Sequence, residues 1–146
     1  MRIKRIVIHC SDSKFGDVRL FRKWHLQRGW RDIGYHLVIL NGNRTLKEFN
    51  ERDDGLIEAG RPMNLDDDIS PDEIGAHAYG FNRSSVGICL VGTDKFTPRQ
   101  LESLFHAIHF WKRISPEAEV VGHYELDDGK TCPNLNMDLV RAVLGQ

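Results

Sequence analysis

The chain has 146 residues, a formal net charge of −1 and 40% hydrophobic residues, which suits one soluble domain, spanning 1–146, whose core needs no staples. With 20 basic against 21 acidic residues and no lysine or arginine run, neither nucleic acid nor an anionic membrane is expected as a partner. The apolar run after Met1 is too short for a signal-peptide core and no segment could span a bilayer, so synthesis in a cytosol without membrane insertion is expected.

Ile6 to Cys10 is a short β-branched run that stops at Ser11-Asp12-Ser13, predicting a buried strand whose exit carries His9. Successive strand side chains face opposite ways, so His9 is assigned to a site and Cys10 to the core, although His9 reads equally well as a hydrogen-bonded structural histidine. Asp17 caps a predicted helix through Gln27, with Leu20, Phe21 and Trp24 at helical spacing and Gly29 as its stop. Trp30 follows and is open to lining a groove. Ile33 to Leu40 reads as the second strand, ending at the turn signal Asn41-Gly42. Tyr35 and His36 interrupt it and face opposite ways, so at most one of them points into a given site.

Asn43 to Asp68 is polar and acidic and reads as solvated turns, without the ligand register of a calcium loop. Ser70-Pro71-Asp72-Glu73 has a capping serine, proline at the first helical position and glutamate three after the cap, predicting one or two helical turns. Gly75 to Asn82 is a glycine-punctuated aromatic loop in which His77 is open to three readings: metal ligand, substrate contact or surface histidine. Ser85 to Gly92 is a central strand that makes Cys89 inert core. Thr97-Pro98-Arg99-Gln100 opens a helix with Leu101, Leu104, Phe105, Ile108 and Trp111 on one face, leaving His106 and His109 at its surface or boundary. Glu119 to Val121 is a strand that delivers Gly122-His123, and Asn136 or Asp138 starts a last short helix through Leu144.

The stretch from Val121 to Pro133 concentrates the chemistry, because His123, Lys130 and Cys132 share one strand-exit loop. Imidazole and thiolate select zinc over magnesium or calcium, and a catalytic zinc takes three protein ligands and keeps a position for water. Two ligands lie here, so a third must come from elsewhere. Taken alone, His123 is a polar loop residue and Cys132 a core filler. The cysteines at 10, 89 and 132 are odd in number and show no CxxC spacing, which suits a reducing compartment rather than a disulfide framework.

An ordered set of motifs runs nearly end to end: Ile8-His9-Cys10-Ser11, Trp24-His25 with Gly29-Trp30, Ile33-Gly34-Tyr35-His36 and Glu58-Ala59-Gly60-Arg61. Ala76-His77-Ala78 with Gly80-Phe81-Asn82, Ser85-Val86-Gly87-Ile88, and Gly122-His123 with Lys130-Thr131-Cys132-Pro133 complete it. In this set the chain resembles the zinc-dependent N-acetylmuramoyl-L-alanine amidases of the type 2 family, phage lysozyme-type endolysins in particular, and more distantly the peptidoglycan recognition proteins. The resemblance implies an α/β fold, a mixed central sheet flanked by helices with one zinc ion in a cleft at its edge. It puts the metal ligands on His9, His123 and Cys132, a catalytic tyrosine and lysine on Tyr35 and Lys130, and a substrate-side histidine on His77. It further implies cleavage of peptidoglycan between N-acetylmuramic acid and the L-alanine of the stem peptide, by a lysis enzyme that reaches the wall through a separately formed membrane lesion. His36 is expected to support the site, and Glu125 to orient His123 if that segment stays extended. The chain departs from the family pattern near Asn43 to Gly55, where extra residues lengthen a hairpin. A non-catalytic peptidoglycan-binding module, a purely structural metal and a second role in binding a polymerase remain as alternatives at this level.

Overall fold

The computed structural model describes all 146 residues. Five strands form its sheet: β1 (Arg5–Cys10), β2 (Leu37–Asn41), β3 (Asp54–Ala59), β4 (Ser85–Leu90) and β5 (Glu119–Gly122), in the order β3-β2-β4-β1-β5. Three helices pack on it: α1 (Val18–Gln27), α2 (Pro98–Ile114) and α3 (Met137–Val143). This is the mixed, single-domain α/β fold expected. β1 pairs in parallel with both β4 and β5, β2 is parallel to β4, and only β3 runs antiparallel, against β2.

Alternation along β1 separates two faces. Ile6 and Ile8 join the larger core with Val86, Ile88, Leu104, Ile108 and Trp111, under α2 and α3. The opposite face is covered over β2 and β4 by α1, where Val18 and Phe21 pack on Val38, Leu40 and Cys89. α1 does not extend across β1 and β5. That uncovered half of the face is where His9 points.

The helices begin as their sequences dictate. Asp17 caps α1 by accepting the Leu20 N–H, and Thr97 and Gln100 form a reciprocal capping box at α2. Gln100 has a second task, because its buried Nε2 donates to the carbonyls of Ile39 and Val91 at 3.1 and 2.9 Å and so ties α2 to the ends of β2 and β4.

Two expectations are corrected. The second strand begins at Leu37, not Ile33. Gly34 explains this, since its N–H goes to His25 Nδ1 at 2.8 Å and its carbonyl accepts from Ala76, drawing both groups out of the sheet ladder. The stretch read as solvated turns contains β3, an edge strand whose adjacent Leu56 and Ile57 are both exposed, so no alternation marks it. Between β2 and β3 the lengthened hairpin folds back through Arg44, which pairs with Asp17, Asp53 and Glu58, each at 3.0 Å. Glu58 in turn accepts the Val18 N–H at 3.0 Å. The hairpin is thereby fastened to the start of α1.

Gln100→Ala removes the bond that keeps the Val91 carbonyl paired, together with half of the capping box. Urea unfolding should show a loss of about 2 kcal/mol, and an unchanged midpoint would contradict the tie described here.

Candidate active site

His9 leaves β1 one residue after Ile8, which pairs with Gly122, so the parallel register sets His9 beside His123 at the exit of β5. Their ring centroids are 4.6 Å apart. Cys132 returns to the same point, because the Cys10 N–H donates to its Sγ at 3.0 Å and its own carbonyl accepts from Tyr124. One donor atom from each of His9, His123 and Cys132 lies within 4.8 Å of the others. Tetrahedral zinc with ordinary nitrogen and thiolate bond lengths holds such donors about 3.3–3.6 Å apart. His9 Nδ1 and Cys132 Sγ stand 3.9 Å apart, close to that spacing.

The electrostatics suit the same ion. Burial, then the neighbouring His77 and His123, holds the pKa of His9 well below the usual imidazole value. His123 is lowered by burial and by Lys130. Both rings therefore offer neutral lone pairs, as zinc requires. The hydrogen-bonded Cys10 thiol and burial push the Cys132 thiol up, so its thiolate needs a cation beside it, and the Cys10 N–H already favours charge on that sulfur.

Behind His9 stands a file of histidines. His9 Nε2 meets His77 Nδ1 at 2.9 Å, and His77 Nε2 lies 3.4 Å from the Ser85 carbonyl. A carbonyl only accepts, so His77 Nε2 carries a proton, its Nδ1 accepts from His9 Nε2–H, and the His9 Nδ1 lone pair is left facing Cys132. His36 packs 5.5 Å behind His77, accepting the Gly87 N–H at 3.0 Å and donating to the Glu73 carbonyl at 2.7 Å. Burial lowers its pKa to about 4. Gly87 is required by this close packing: a Cβ there would come within 2.6 Å of the His77 ring.

These groups floor a cleft of about 690 Å³ with three walls. The end of α1 supplies Trp24, Arg28 and Trp30, the segment after β5 supplies Asp127 and Lys130, and the loop before β4 supplies Ala76, Ala78, Tyr79 and Asn82. Tyr35 lies against His9, with centroids 5.3 Å apart, and burial raises its pKa well above the usual phenol value. It stays a neutral donor. His25, between Trp30 at 4.6 Å and Tyr35 at 5.6 Å, braces that corner through Gly34.

The structure thus gathers all six expected site residues in one place, with differences in detail. His77, expected on the substrate side, is 8% exposed and turns its Nδ1 to His9. Glu125 does not orient His123. The chain turns sharply over His123–Glu125, and the Glu125 carboxylate accepts the Gly122 N–H and pairs with Arg141 instead. Lys130 projects from an exposed turn closed by its N–H on the Asp127 carbonyl. Arg28 and Tyr79 were not singled out in the sequence, since a lone surface arginine or tyrosine carries no signal.

Residues 1–135 match the family described as N-acetylmuramoyl-L-alanine amidase. The chain is 33% identical over 141 residues to the endolysin of Enterobacteria phage K11, covering 89% of this chain and 80% of that one. The endolysin N-acetylmuramoyl-L-alanine amidase LysCS from Clostridium intestinale superposes with a TM-score of 0.79 at 25% identity, over 99% of this chain and 85% of its own. Drosophila PGRP-LB superposes with a TM-score of 0.66 at 27% identity, over 91% of this chain and 76% of its own.

His77→Gln should keep the fold and lower zinc affinity about 10- to 100-fold, measured by competition with a chromogenic chelator. Unchanged affinity would show that His9 needs no such support.

Proposed function

Because this chain belongs to the N-acetylmuramoyl-L-alanine amidase family, we propose that residues 1–146 act as one catalytic unit that hydrolyses the bond between N-acetylmuramic acid and L-alanine in peptidoglycan. The observation that carries this reading is the convergence of two neutral imidazoles and a thiol, within 4.8 Å of one another, on the floor of an open cleft. A structural zinc is closed by four protein ligands, whereas three donors leave a place for water.

His9, His123 and Cys132 would hold the ion. Bound there, zinc supplies a Lewis acid that lowers the pKa of water and polarises a carbonyl. The chain's own residues then do the rest. His77 keeps the His9 lone pair turned to the metal position. Tyr35, kept protonated by burial, donates a hydrogen bond to negative charge as it develops on the amide oxygen. Lys130 brings a positive charge to the same region from the cleft rim. Arg28 on one wall, and Lys130 beside Asp127 on another, offer cationic groups that suit the carboxylates of a stem peptide.

We further propose a setting of bacterial host lysis, in which the enzyme reaches the wall through a membrane lesion formed by another agent; the likeness to a phage endolysin supports the cell-wall part of this reading. No helix is long and apolar enough to cross a membrane.

Digestion of purified peptidoglycan should release new L-alanine amino termini without new reducing sugar ends. Tight binding without cleavage by zinc-loaded protein would support a recognition module instead. Lys130→Ala should lower turnover about 100-fold or more while zinc content stays at the wild-type level. Parallel loss of both would refute the role given to Lys130.

A further inference from the structure

Tyr79 is 97% exposed, the most exposed of the large apolar side chains, yet it lines the cleft. A single exposed aromatic on a protein surface calls for no explanation. This one is held out by a rigid support. Phe81 N–H closes a turn on the Ala78 carbonyl at 2.9 Å, with Tyr79 and Gly80 at its centre, and Gly80 takes the φ of +86° that such a turn demands. Asn82 Oδ1 accepts the N–H groups of His77 and Ala78 at 2.9 and 2.8 Å. Ala78 is buried, and the Phe81 ring lies under the Arg5 guanidinium, 4.9 Å from its centroid. The backbone on both sides of Tyr79 is therefore fixed, two residues from the histidine that supports His9.

The walls of the cleft differ in charge. Arg28 stands on one and Asp127 and Lys130 on another, but Ala76, Ala78, Tyr79 and Asn82 give the third no formal charge. The two parts of the substrate differ in the same way. The stem peptide carries carboxylates, whereas the glycan pyranose rings are neutral and present flat C–H faces. Rigid aromatic rings stack on such faces and lose little conformational entropy in doing so, having two torsions to fix.

We infer that Tyr79 is a specificity-determining residue that stacks on a pyranose ring of the glycan strand and so seats the sugar half of the substrate along the uncharged wall. This rests on the amidase reading above. It divides the cleft: glycan against residues 76–82, peptide toward Arg28 and Lys130.

The test is equilibrium binding, by calorimetry or NMR titration, of zinc-loaded wild-type and variant proteins to two probes that lack the scissile bond. One is a peptide-free N-acetylglucosaminyl-N-acetylmuramic acid oligosaccharide, and the other is the free stem peptide. Tyr79→Ala should weaken oligosaccharide binding about tenfold and leave the stem-peptide Kd unchanged, while Tyr79→Phe and Tyr79→Trp keep both. An unmoved oligosaccharide Kd, equal weakening for both probes, or no oligosaccharide binding by the wild type would each overturn the inference. Release of L-alanine amino termini by the wild-type protein, measured separately, reports on the amidase reading alone. Because Tyr79 is exposed, its replacement leaves the core intact.

Discussion

The site depends on one pairing: β1 lies between β4 and β5, parallel to both. That register places the exits of β1 and β5 side by side, so His9 and His123, more than a hundred residues apart in sequence, meet with centroids 4.6 Å apart. A one-residue slip in β1 would turn His9 into the core and Ile8 into the cleft. The apolar face of β1, buried under α2 and α3, prevents that slip, because Ile6 and Ile8 have nowhere else to go. Core packing on one face thus fixes the geometry of the candidate ligands on the other.

The cleft follows from incomplete cover. α1 seals the sheet over β2 and β4 and stops short of β1 and β5, and the gap is lined by the exit of β1, α1 and the turn after it, Tyr35, the loop before β4 and the segment after β5. Histidines rather than aliphatic side chains fill the layer behind the metal position. Each is tied to the backbone or to another ring, His36 to Gly87 and Glu73, His25 to Gly34, and His77 to His9 and Ser85. Buried imidazoles with fixed partners have fixed tautomers, and a fixed tautomer at His77 is what directs the His9 lone pair. The lengthened hairpin stays out of this arrangement because Arg44 binds it to Asp17 and Glu58.

Much of this was legible in the chain. The helices announced themselves through Asp17 and the Thr97-Gln100 box, and the central strands through unbroken β-branched runs. The candidate metal group can be read only as a set: His123 and Cys132 fall short of a site without His9, and no local feature of His9 distinguishes a ligand from a structural histidine. No local pattern marks β3, because an edge strand beside solvent has no face to hide and its exposed Leu56 and Ile57 break the alternation; only the resemblance implied a hairpin there. The contacts of His77 and Glu125 are hidden from the sequence for another reason. His77 meets His9 across 68 residues, and Glu125 is claimed by Arg141 once the chain turns at His123, contacts that no local pattern encodes.

Metal replacement decides whether His9, His123 and Cys132 form a catalytic zinc site. Zinc content and peptidoglycan amide hydrolysis should be followed in the wild-type protein as isolated, after chelation and after zinc is restored, with Cys132→Ser alongside. One zinc per wild-type chain is expected, with loss of hydrolysis on chelation while the fold is retained, recovery on re-addition, and weak zinc retention with little activity in the variant. Full hydrolysis by the metal-free protein would contradict a catalytic zinc site.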